Sequence, residues 1–170
     1  MSLKKRHKRI IAIDPGLSGT GVCEMIGRFV VSYDVIRVSK PLLKSNDSER
    51  IESITSQLAD WIRFVYSKKT PYKISHVLLE VPEYWGGSAV SHAATVRGDL
   101  LKLGMLCGSI NHALIMLLPG VPIRFVKPRE WKGQLTKNMV DIRVVDALGE
   151  SYPNHALDAV GMIVLTENMI

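Results

Sequence analysis

The chain has 170 residues, 46% of them hydrophobic and 22% charged, with a formal net charge of +6. This suffices for one buried core but not for two full-sized domains, and the longest uninterrupted apolar run, 113–118, falls far short of the roughly 20 residues of a membrane-spanning helix, so no membrane association is expected. The two cysteines, Cys23 and Cys107, lie in separate apolar segments, which argues against a disulfide framework or a zinc site and suits a reducing cytoplasm.

Lys4, Lys5, Arg6, Lys8 and Arg9 crowd positive charge at one end, so residues 1–9 are read as a basic arm and 10–170 as one nearly neutral domain. Such an arm can neutralise phosphates and give sequence-independent affinity for nucleic acid; a solvated tail is the alternative. The apolar stretch 10–13 runs straight into Asp14 and does not make a secretion signal.

Arg-Ile-Ile-Ala-Ile-Asp at 9–14 is apolar and β-branched, which predicts a buried central strand ended by Asp14-Pro15-Gly16. Strand patterns follow at 20–26 and 29–38, joined by the two-residue hairpin signal Gly27-Arg28. Asn46 with Glu49 three residues on forms a capping box, after which Ile51, Ile54, Leu58, Ile62 and Val65 recur at helical spacing. Past a turn at 70–72, the run 76–81 predicts another strand, with Glu80 near its end and Pro82 stopping it. A strand, a helix and a strand in that order imply a crossover to a parallel neighbour, which sets Glu80 beside Asp14.

Residues 91–118 have a helical, largely apolar pattern, and Gly98, Gly104, Gly108 and Ser109 are small enough to admit a second helix, which makes this segment a candidate seam between two copies. A fifth strand at 121–126, a polar loop at 127–135 and a helix at 136–148 closed by Gly149 follow. A last helix is expected from Asn154, as N-cap, to about residue 165. The fold class is α/β: a mixed five-stranded sheet, made of a three-strand antiparallel meander plus two parallel strands, flanked by helices.

Three acids occupy positions that a core gives to apolar residues: Asp14 after Ile-Ala-Ile, Glu80 after Val-Leu-Leu, and Asp158 within Ala-Leu-Asp-Ala-Val. A buried carboxylate is costly alone, and several together are tolerable mainly when they share a cation. His155 and Asp158 are three apart and fall on one helical face. Each acid alone has a bland reading, as turn former, surface acid or first-turn acid. Their joint placement at the carboxyl ends of two adjacent strands and on one helix favours a site, and oxygen-rich ligation favours Mg²⁺ or Mn²⁺. The glycines of 14–21 permit a tight return and close approach of a phosphate, without the ending of a P-loop. His76, His92 and His112 are read as packing or surface residues.

Ile-Asp-Pro-Gly-x-x-x-x-Gly at 13–21, the strand acid Glu80, Lys-Leu-Gly-Met-Leu-Cys-Gly at 102–108 and His-Ala-Leu-Asp-Ala at 155–159 together resemble, in order and interval, the blocks of the RuvC-type Holliday-junction resolvases, which have a ribonuclease H-like fold. The first block alone is shared with actin-like sugar kinases, but those need two such domains. The resemblance implies metal ligation by Asp14, Glu80, His155 and Asp158, with Glu83 a possible substitute for Glu80, and two Mg²⁺ ions, for which Mn²⁺ can substitute. It also implies basic catalytic residues at Lys132 and Lys137, and Tyr84 or Trp85 as an aromatic wedge in the junction. Gly16, Ser18, Arg97, Lys127 and Arg129 complete the expected DNA surface. A cytoplasmic homodimer cutting branched, preferentially four-way, DNA in paired nicks is the function implied. A broader branched or flap nuclease and a non-catalytic DNA-structure binder are the alternatives.

Overall fold

The computed structural model describes residues 7–40, 42, 46–83 and 98–167. Strand β1 (Arg9–Asp14) is buried along its whole length, as its β-branched run requires. It pairs antiparallel with β2 (Gly19–Ile26), and β2 pairs antiparallel with β3 (Phe29–Arg37) across a turn in which Gly27 takes a left-handed φ of 61°. Helix α1 (Asp47–Ser67) starts where the Asn46 side chain accepts from the Glu49 amide, and it buries Ile51, Ile54, Leu58, Ile62 and Val65. The chain then enters β4 (Ile74–Glu80), parallel to β1. Helix α2 (Asp99–Leu117) leads to β5 (Ile123–Val126), parallel to β4, and α3 (Pro128–Trp131), α4 (Lys137–Leu148) and α5 (Asn154–Thr166) follow. The sheet order is β3-β2-β1-β4-β5.

Strand alternation sorts the core into two halves. Ile11, Ile13, Val77 and Leu79 join the core formed with α1 and α2, whereas Ile10, Ala12 and Leu78 join that formed with α4 and α5. Asp14 and Glu80 continue the second series, and the register pairs Ile13 with Leu79, one residue before each acid. The same two-residue period that buries the strands therefore sets both carboxylates on the α5 side, at the carboxyl ends of neighbouring parallel strands.

Four expectations need correction. The segment 127–135 is not simply a polar loop: it contains α3, whose Trp131 is buried against the α4–α5 core. Pro153, not Asn154, is the N-cap of α5, and Asn154 is its first helical residue. Arg9 is not a free charge of an arm, since β1 begins there and its guanidinium is buried on Glu24, at 2.7 Å, and on the Val65 carbonyl, at 2.6 Å. Lys8 is paired too, with Glu167 at 2.6 Å. Finally, α2 is long and apolar enough by length and composition to cross a membrane, which the run-length criterion missed because Lys102, Ser109, Asn111 and His112 interrupt the run. The same helix packs on α1 through Leu106, Ile110 and Leu114 and through Ser109 Oγ, 3.0 Å from Thr55 Oγ1. Residues 91–97 of the predicted helix lie outside the described residues.

Candidate metal centre

The N-terminal turn of α5 delivers His155 and Asp158 to the end of β1. Asp14, His155 and Asp158 each offer a donor atom within 4.8 Å of the others, and His155 Nδ1 lies 3.3 Å from Asp14 Oδ2. Glycine makes this approach possible. Gly21 lies opposite Asp14 in the β1–β2 ladder, and a Cβ there would collide with the His155 carbonyl; one at Gly19 would come within 3.3 Å of the His155 ring. The space before these two glycines is filled by α5, so in the described structure they serve helix-on-sheet packing rather than an open phosphate cradle.

Electrostatics match a site that is short of positive charge. Burial pushes the Asp14 carboxyl above its ordinary value and the Asp158 charge adds to this, while the His155 hydrogen bond and Lys132 pull it back. The hydrogen bond to Asp14 raises His155, against the opposing effect of burial. Glu80 is pushed up to about 7, first by burial and then by the Asp14 charge. Two carboxylates and an imidazole fit a hard divalent cation, whose opposite donors stand roughly 4.2 Å apart at bonds of about 2.1 Å.

Glu80 stands beside this trio without belonging to its tight group. Its Oε2 accepts a hydrogen bond from Trp131 Nε1 at 2.6 Å, and the Cys107 thiol lies 3.6 Å from its backbone carbonyl. Trp131 was missed in the sequence, where its neighbours Arg129, Glu130 and Lys132 disguise it as part of a loop. The two predicted lysines converge on the site: Lys137 Nζ is 3.1 Å from Asp158 Oδ2, and Lys132 acts electrostatically on both Asp14 and Glu80 while its Nζ sits 4.8 Å over the Trp131 ring.

The other predicted residues vary. Ser18 and Lys127 are exposed, and the Gly16 amide is turned toward Thr20 Oγ1 at 3.3 Å. Arg129 is exposed and paired with Glu83 at 2.7 Å, so Glu83 is engaged by an arginine, with its Oε2 buried and unpartnered. Tyr84, Trp85, His92 and Arg97 lie outside the described residues. His76 pairs with Glu167 at 3.2 Å, away from the trio.

A mixed sheet built from a three-strand meander and two parallel strands, with helices on both faces and acids at the ends of β1 and β4, is the ribonuclease H-like fold. No protein-family model matches the chain, and no curated protein matches it in sequence. Among solved structures, its fold is that of RuvC: it superposes on a Thermus thermophilus RuvC in complex with Holliday junction substrate at TM-score 0.64 and 18% identity, covering 96% of this chain and 94% of that one. A second structure of Thermus thermophilus RuvC gives TM-score 0.64 and 18% identity, with 95% and 93% covered.

Proposed function

We propose that the protein is a structure-specific endodeoxyribonuclease that resolves four-way DNA junctions, working as a cytoplasmic homodimer and leaving 5′-phosphate and 3′-hydroxyl ends. The observation that carries this reading is the convergence of Asp14, His155 and Asp158, with Glu80 on the neighbouring strand, in a chain with the RuvC fold. Asp14, Glu80, His155 and Asp158 would hold the cations. A pair of divalent ions, Mg²⁺ or Mn²⁺, supplies water activation and charge neutralisation at a scissile phosphate.

The chain's own groups do the rest. Lys132 and Lys137 place positive charge beside the carboxylates, where it can offset the charge that builds on a phosphate under attack. Ser18, Gly16, Lys127 and Arg129 border the same end of the sheet and supply contacts to the sugar-phosphate backbone. Tyr84 or Trp85 provides a wedge that stacks on an unpaired base, and Arg97 adds a phosphate contact.

Two-fold symmetry of a four-way junction suits an isologous dimer. Helix α2 supports that assembly: Leu101, Met105, Ile115 and Met116 are all more than half exposed, and a Cβ at Gly104 or Gly108 would meet nothing within 4 Å among the described residues. A solvent-facing apolar stripe interrupted by glycines is a surface on which a second copy of the helix can pack closely.

The test is incubation of the pure protein with a labelled mobile junction, with and without Mg²⁺. Symmetric nicks that ligase reseals, dependent on the metal and lost in Asp14→Asn with junction binding retained, are the expected result. Indiscriminate cutting of forks and flaps would replace the resolvase with a broader branched-DNA nuclease. Binding without any cleavage by the wild type would leave a structural DNA-binding protein.

A further inference from the structure

We infer that Trp131 is a positioning residue that ties Glu80 to the helix bearing His155 and Asp158; this rests on the metal-centre reading above. Three contacts converge on one side chain. Trp131 Nε1 donates to Glu80 Oε2 at 2.6 Å across 51 residues of sequence. The ring packs into a notch on α5, where a Cβ added at Gly161 would lie 3.2 Å from Trp131 Cζ3 and 2.8 Å from Val140 Cγ1. Lys132 Nζ lies 4.8 Å from the ring centroid.

Each contact has a physical consequence for the site. A buried indole N–H requires an acceptor, and this one takes a carboxylate oxygen, which makes the bond charge-assisted and short. A glutamate at a strand end has three side-chain torsions to fix, and the indole fixes them before any cation arrives. Trp131 takes one of the roughly four lone-pair sites of the Glu80 carboxylate and leaves the others to a cation. Gly161 lies one turn of α5 beyond Asp158, so the ring spans from the β4 ligand to the helix that carries the other two. The β1–β4 ladder sets Glu80 beside Asp14, and one rigid aromatic plate, rather than a loop, sets its spacing from the α5 pair. Packing of Lys132 Nζ over the same ring also holds that ammonium close to the acids.

Groups that orient a metal ligand typically change metal affinity by about 10–100-fold when removed. Trp131→Phe keeps an aromatic ring but deletes the donor and the outer indole carbons that reach Gly161, whereas Gly161→Ala keeps the donor and crowds the ring. Both are expected to weaken Mn²⁺ binding by at least about 10-fold, read by electron paramagnetic resonance without DNA. Metal-free unfolding curves at pH 5, where Gly161→Ala is expected to be destabilised by its 2.8 Å approach to Val140 Cγ1, set a temperature at which every variant is folded for the titration.

A second readout uses the unaltered protein. Of the three tryptophan indole N–H resonances, one should lie downfield, move on addition of Mg²⁺, and shift upfield in Glu80→Ala. Wild-type and Trp131→Phe proteins that bind Mn²⁺ equally, while Asp14→Asn loses it, would show that Trp131 only packs. An absence of any indole resonance sensitive to Glu80 would overturn the inference independently of whether Trp131→Phe folds. Failure of the wild type to bind Mn²⁺ would instead sink the metal-centre reading itself, and this inference with it.

Discussion

Replacing Glu80 by glutamine should make the metal-free protein more stable while abolishing cleavage. Burial, followed by the Asp14 charge, raises the Glu80 carboxyl from 4.5 to about 7. An acid whose folded pKa lies above its unfolded value stabilises fully only while protonated in both states. Its contribution is intact below pH 4.5, erodes through the interval, and is gone above about 7. At about 1.4 kcal/mol per pKa unit, the gap from 4.5 to about 7 corresponds to about 3 kcal/mol. Glutamine keeps the shape and still accepts from Trp131 Nε1, so the E80Q protein avoids this cost. Urea unfolding in EDTA from pH 4 to pH 8.5 should show the two proteins converging at the acid end and E80Q ahead by up to about 3 kcal/mol at the alkaline end. Saturating Mg²⁺ should shrink that lead, because a cation relieves the same repulsion in the wild type. A difference that does not vary with pH, or an E80Q protein less stable at pH 8, would refute the reasoning.

Gly21→Ala should push α5 away from β2 through its clash with the His155 carbonyl, lowering stability by about 1–3 kcal/mol and eliminating cleavage; calorimetry together with the junction assay checks both. Glu24→Ala leaves the buried Arg9 without its 2.7 Å partner and releases Lys68 from its 3.0 Å contact. A cost of about 3–5 kcal/mol is expected, varying little with salt because the pair is enclosed, and denaturant titrations at low and high salt would measure it. Leu101→Asp combined with Met105→Asp charges the exposed stripe of α2 and should yield a folded monomer by sedimentation, with nicks on the two junction strands no longer paired. An unchanged sedimentation coefficient would rule out this face as the seam.

Much of the site was legible because it follows local periodicity. The strand–helix–strand order set Glu80 beside Asp14 before any contact was known, and β1 and β4 do pair in parallel. The Gly27 turn and the Gly149 end of α4 were marked by residues that alone accept left-handed backbone cheaply, at φ 61° and 83°. A three-residue spacing was enough to bring His155 and Asp158 together. These features depend on neighbours within one or two turns, so composition at short range encodes them.

What the tertiary structure decided lies in contacts between distant segments. Trp131 meets Glu80 across 51 residues, and nothing in Arg129-Glu130-Trp131-Lys132 signals a buried ring. Arg9 had the appearance of one more arm cation until the β-ladder brought Glu24 and the end of α1 around it. Gly21 stood in a pattern suited to phosphate, yet its missing side chain admits the His155 backbone of α5. In each case the identity of the partner, not the character of the residue, determines the role, and partners are assigned only when the sheet and helices close on one another.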